Sequence, residues 1–186
     1  MALIITTPPA SEPVSLAEAK AFLRVDHDVE DDLIATLIAA ARDAVESLCG
    51  RALIARTLRE TLDDWRLDGA GAALLAVGPV TSVVSAALLD AADEASVIDA
   101  DDYRLDGAGD RPRLVFTNGA PIPKRRVGGV RIDYVAGIGA EAADLPANLR
   151  LAVLHVIAAL YEAREGAASL PDAARALAAP SSVRRL

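Results

Sequence analysis

The stretch "PVSLAEAKAFLRVDHDVEDDLIATLIAAARDAVESLCGRAL", residues 13–53, reads as two helices in succession. Ser15 stands where it caps the first helix, and Glu18 three residues on completes a capping box. That helix runs to about Leu23 or Val25. In the following run "DHDVEDD", Asp28 is the candidate cap of the second helix, and Glu30, Asp31 and Asp32 suit the positive end of its dipole. Within that helix Ile34, Ile38, Ala41, Val45 and Leu48 recur at spacings of 4, 3, 4 and 3, the period of one helical face. Leu33, Leu37, Ala40 and Ala44 widen the stripe. Gly50 supplies the stop. The pattern is too short for a free-standing coiled coil, and the stretch holds no catalytic set.

Before it, residues 1–12 read as an extended arm, because Pro8, Pro9 and Pro13 block a helix. After it the periodicity changes. In "RTLRETLDDW" Leu58 and Leu62 alternate with charged and hydroxyl residues, as in a half-exposed strand. "LLAVGPVTSVVSAALLD" gives one or two strands broken at Gly78–Pro79. "YRLDGAGDRPRLVF" gives a hairpin turning around Asp106 to Asp110. In "GGVRIDYVAGIG" Val130, Ile132 and Tyr134 alternate with Arg131 and Asp133. Past Pro146, a third long helix carries Leu149, Val153, Val156 or Ile157, and Leu160 on one face and ends near Gly166. "PDAARALA" gives a short fourth helix. The expected fold is α+β. An Ala-rich helical bundle is drawn from both ends of the chain, residues 13–53 and 145–179. A small antiparallel β unit, about residues 56–136, is inserted between them, and a tail follows at 180–186. The whole 186-residue chain is expected to be one domain.

Composition narrows the function. Hydrophobic residues make up 53% of the chain and aromatics 3%, so Trp65, Phe22 and Tyr134 are candidate packing points. The net charge of -8 argues against a protein that reads DNA sequence, because phosphate neutralisation supplies much of that affinity. One cysteine, Cys49, excludes an intrachain disulfide framework and fits a reducing compartment. No signal-peptide pattern and no long apolar run appear, so a cytoplasmic protein without a membrane span is expected.

Catalytic signatures are sparse. His155 and Glu162 share a helix face two turns apart, but the further ligands of an H-E-x-x-H site are missing. Cys49 has no histidine near it in sequence, and a buried inert thiol is the plain reading. "DGAGA", "DGAGD" and "GIGA" match neither the dinucleotide nor the P-loop glycine pattern. The paired carboxylates Asp63–Asp64 and Asp101–Asp102 stand in loop or strand-end settings, where hydration suits them better than general acid–base work. No catalytic residue, cofactor or metal is expected. Lys124, Arg125 and Arg126 form the one concentrated basic stretch. It is either a solvated loop or a contact for nucleic acid or an acidic protein surface.

The residues of the opening stretch resemble the start of the head–tail connector (adaptor) proteins of long-tailed phages. Pro13, Ser15, Leu16, Glu18, Ala19, Lys20, Leu23, Arg24, Asp31, Asp32, Gly50 and Arg51 carry the resemblance. "GPVTSV" at 78–83, "DYRLD" at 102–106, "VRIDYVAGIG" at 130–139 and "LPANLRLAVLHVIAALYEARE" at 145–165 continue it in order. The Ala and Arg bias also suits the related connectors of phage-like gene transfer agents. The chain departs from the family in ending "SSVRRL", where an aromatic often precedes the tail arginine.

The resemblance implies a structural, non-enzymatic part of the virion or particle, assembled in the bacterial cytoplasm. Its subunits form a ring of about twelve copies under the portal protein. The ring extends the channel through which double-stranded DNA passes without sequence-specific binding, and offers a platform to the stopper or tail-completion protein. Ile34, Ile38, Ala41, Val45 and Leu48 are then expected in helix packing or the ring interface. Val183, Arg184, Arg185 and Leu186, with Lys124, Arg125 and Arg126, are the candidate partner contacts. The alternative is a small DNA-associated packaging or regulatory module that uses the 124–126 loop.

Overall fold

The Ser15 capping box forms as its sequence dictates. The Ser15 hydroxyl accepts from the Glu18 N–H at 3.2 Å, and the Glu18 carboxylate accepts from the Ser15 N–H at 2.8 Å. A box of this kind stabilises a helix start by about 1 kcal/mol. In the computed structural model, which describes residues 1–107, 111–163 and 169–183, helix α1 (Leu16–Leu23) follows this box and ends on Arg24 in the left-handed region. Helix α2 (Asp31–Cys49) begins after Glu30, not after Asp28. The Asp28 carboxylate is drawn to the Lys20 ammonium at 2.6 Å instead, and its backbone carbonyl takes the Asp31 N–H. Gly50, at φ 68°, terminates α2 in the conformation that costs glycine least.

The described residues fall into two compact units. One comprises Met1–Pro9 and Ala55–Gly137, the other Ala10–Ile54 and Ile138–Leu186. Four α-helices and eight strands are present among them, an α+β fold.

The helical unit packs α1 and α2 against α3 (Ala147–Glu162) and α4 (Asp172–Ala178). Its core joins Ile34, Ile38, Ala41 and Val45 to Leu149, Val153, Val156 and Ile157, with Ala174 and Ala178 closing one side. Each such aliphatic side chain contributes about 1.5–3 kcal/mol by leaving water. Ala41, Ala152 and Ala174 are fully buried, and their small size permits close helix approach. The widened stripe on α2 is narrower than its sequence suggests: Leu33 and Ala40 are exposed, while Leu37 and Ala44 lie against the core. The third helix's expected end near Gly166 lies outside the described residues.

The other unit holds two antiparallel sheets. The strands are β1 (Ala2–Thr7), β2 (Arg56–Leu62), β3 (Ala73–Leu74), β4 (Val80–Leu89), β5 (Ala95–Val97), β6 (Tyr103–Asp106), β7 (Arg113–Phe116) and β8 (Val130–Ala136). The five-stranded sheet has the order β1-β2-β8-β4-β5, the three-stranded sheet β3-β7-β6. The β6–β7 hairpin pairs Tyr103 with Phe116 and Asp106 with Arg113; residues 108–110 of its expected turn lie outside the described residues. The N-terminal arm is extended as expected, but it is a sheet strand, paired through Ala2–Thr61 to Thr7–Thr57.

On β2, Arg56, Leu58, Glu60 and Leu62 all face inward. Glu60 has the parity of Leu58 and Leu62, so the pleat carries it into the core with them. It is fully buried, paired to Arg66, and accepts from the Ala76 N–H at 3.0 Å and from the Tyr134 hydroxyl at 3.3 Å. Burial pushes its carboxyl above the ordinary range, and these partners pull it part of the way back. Of the three candidate packing aromatics, Tyr134 and Trp65 are buried, and the indole N–H of Trp65 donates to the Pro121 carbonyl at 2.7 Å. Phe22 is surface-exposed at the end of α1, where it stands edge-on to His155.

Candidate assembly surfaces

The five α2 positions divide by the helical period. Ile34, Ile38, Ala41 and Val45 are buried inside their own unit, and Leu48 is half-buried against the same core. The other side of α2 presents Leu33, Ala40 and Asp43 to solvent. Two polar side chains on α2 fasten the unit internally. Arg42 reaches the Glu12 carboxylate at 2.9 Å, and Glu46 accepts from the Leu53 N–H at 2.8 Å.

The acidic junction before α2 is a solvated cluster gathered around one cation. The Lys20 ammonium sits 2.6 Å from Asp28 and 2.7 Å from Asp31. Hydrogen bonding to Asp28, then to Asp31, raises the Lys20 pKa, and Lys20 in turn lowers that of Asp28. Glu30 accepts from the Tyr161 hydroxyl, which ties the junction to α3. His155 has Phe22 as its ring neighbour, so packing accounts for it. Among the described residues no cluster of three or more His, Cys, Asp or Glu side chains could hold a metal ion. No described helix is long and apolar enough to cross a membrane.

The tail is anchored further along than its composition suggests. A 3₁₀ turn at Ala179–Ser181 follows α4. The Ser182 hydroxyl donates to the Ala178 carbonyl at 3.1 Å, and the Val183 N–H donates to the Cys49 carbonyl at 2.8 Å. The Val183 side chain lies over Gly50. Residues 180–183 are therefore held to the subunit, because the end of α2 offers a carbonyl without a helical partner. Arg184, Arg185 and Leu186 lie outside the described residues.

The basic loop is largely compensated where it stands. The Lys124 ammonium donates to the Ser96 hydroxyl at 2.7 Å. Arg125 donates to the Gly128 and Asp90 carbonyls, both at 3.1 Å, and pairs with Asp93. Arg126 is exposed. Asp63 and Asp64 line the same shallow depression of about 330 Å³. Carboxylates facing this loop make it a poor phosphate cradle.

Sequence reasoning passed over the edges of the five-stranded sheet. All six residues of β1 are exposed, among them Leu3, Ile4 and Ile5, the last two at 53% each. The signal is the uncharged run "ALIITT", whose Ile and Thr content favours a strand. At the opposite edge all three residues of β5 are exposed, Val97 at 69%. A cavity of about 580 Å³ opens beside β5, lined by Leu88, Ser96, Phe116, Pro121 and Ile122 among others.

Comparison with known proteins gives this geometry a context. The model of the phage gp6-like head-tail connector family matches residues 13–89. Three solved chains are similar over the full length of this one, which spans 97% of each of them. One belongs to the virion of a native gene transfer agent (GTA) particle, at 33% identity and a TM-score of 0.85. Another belongs to the neck of an empty GTA particle with C6 symmetry, at 30% and 0.86. The third belongs to the neck of a native GTA particle with C12 symmetry, at 32% and 0.79. No curated protein matches the chain. With a family model that matches residues 13–89, from α1 through β4, and end-to-end similarity at this identity, the chain belongs to the phage gp6-like head-tail connector family.

Proposed function

We propose that the protein forms a ring of about twelve copies at the head–tail junction of a phage-like particle, seated under the portal protein. There it extends the DNA channel, offers the attachment platform for the stopper or tail-completion protein, and performs no catalysis. The observation that carries this reading is the end-to-end similarity to a chain from a particle neck with C12 symmetry. Two physical features support it. A net charge of -8 disfavours gripping phosphate, so duplex DNA slides past such a wall. The helical unit spends its apolar face on its own core, so the subunit folds before it assembles. Deleting the gene from a particle-producing strain tests the reading. DNA-filled heads without tails are expected, restored to tailed particles by the gene in trans. Normally tailed, infectious or DNA-transferring particles from the deletion strain would overturn it.

A further inference from the structure

The two edges of the five-stranded sheet are complementary, and the complementarity fixes a direction. Edge strands usually carry charge, proline or brevity that discourages pairing with another chain. β1 has six residues, no charge and no proline, and its outer side is open; β5 is short, three residues without charge or proline, so a joint with it is confined to Ala95–Val97. Residues opposite one another in antiparallel strands share a face. Leu3 opposes Glu60, and Ile5 opposes Leu58, so Leu3 and Ile5 lie on the sheet's inner face. At the far edge, Ser96 opposes Leu88, which opposes Val130 and through it Leu62; Ser96 therefore lies on that same inner face, beside the cavity of about 580 Å³. Ile4 opposes Arg59, whose partner Asp133 opposes Ser85. It lies on the outer face, as does Val97, which opposes Ala87.

We infer that the exposed edge of β1 in one copy adds to the β5 edge of the next copy, so that the sheet continues from subunit to subunit. Ile4 then meets Val97 on the outer face, and Leu3 and Ile5 lie on the inner face beside Ser96, which accepts from the Lys124 ammonium. This rests on the ring reading above. The occupant is a second copy because one chain carries both halves of the joint, at opposite edges of one sheet. It cannot satisfy itself. Five alternating strands make β1 and β5 run in the same direction. Keeping the inner faces aligned across the joint requires the neighbour in the same orientation, so the joining pair is parallel. Turning the neighbour over would place Leu3 and Ile5 on the wrong face. A head-to-tail joint of this kind is heterologous, the type that closes into a ring and not into an isologous dimer.

Cross-linking on the assembled ring tests this. The double variant Ile4→Cys with Val97→Cys is mixed with portal and mildly oxidised; Cys49 is buried and stays in place, with wild type as control. A ladder of covalent multimers is expected on a non-reducing gel, while each single variant gives none. Separately, Ile4→Asp is expected to keep the wild-type unfolding transition and to lower ring occupancy on the portal at least tenfold. Rings visible by negative stain for the double variant without a ladder, or full ring occupancy for Ile4→Asp, would overturn the inference and leave the ring reading standing. Absence of any ring from wild-type protein on its portal would overturn both.

Discussion

Val45 has no exposed surface, and Ile38 has almost none. An aspartate at either place would leave a buried carboxylate without a partner, at a cost of several kcal/mol against a total stability of about 5–15 kcal/mol. Ile38→Asp and Val45→Asp are each expected to abolish the cooperative unfolding transition, read by circular dichroism; a wild-type transition from both would refute the core as drawn. Gly139 is constrained differently. A Cβ there would stand 2.1 Å from the Asp144 Cβ, and Asp144 is fixed by the Ala140 and Glu141 N–H groups at 2.9 and 3.0 Å. Gly139→Ala is expected to cost about 1–3 kcal/mol by overpacking, measured by urea unfolding. Glu60 links structure to pH. Its folded pKa is raised, so between the ordinary carboxylate value and the raised one the folded state binds more protons than the unfolded state. Stability contributed by this group is present below that window and lost as pH rises through it. Denaturant unfolding of wild type and Glu60→Gln across the acidic to neutral range is therefore expected to show wild type losing stability relative to the variant as pH rises. A difference independent of pH would contradict the assignment.

At the scale of elements, what could be read from sequence depended on whether a local signal was opposed. The narrow α2 face Ile34, Ile38, Ala41 and Val45, the Ser15 box and the Gly50 stop are local and unopposed, and they hold in the structure. The Asp28 cap does not form, because Lys20, eight residues away, competes for the same carboxylate. The burial of Glu60 follows from strand parity, yet its charge pointed outward, and its partners Arg66 and Tyr134 are brought to it only by the fold. Pairing of β1 with β2 spans some fifty residues of sequence, beyond any periodicity argument. The start of the tail is also placed by the fold: the Cys49 carbonyl at the end of α2 accepts the Val183 N–H. Truncation after Val183 keeps this hydrogen bond and serves as the reference. Truncation after Pro180 removes that hydrogen bond and the Val183 contact with α2. It is expected to lower the midpoint by about 2–4 °C for each kcal/mol lost. Equal midpoints for the two truncations would show that the tail contact carries no stability.

At the scale of the whole molecule, membership of the head-tail connector family and end-to-end similarity to chains of GTA particles give the open, uncharged edge of β1 its context. The apolar stripe of α2, Ile34, Ile38, Ala41 and Val45, is consumed inside the subunit's own helical core. The subunit has a finished helical core and two open sheet edges, β1 and β5. The most direct measurement is electron microscopy of the purified protein alone and mixed with its purified portal. The account predicts monomers or weak oligomers alone, and a closed ring of subunits stacked coaxially on the portal in the mixture. A compact dimer that persists in both samples, with the portal bare, would contradict it.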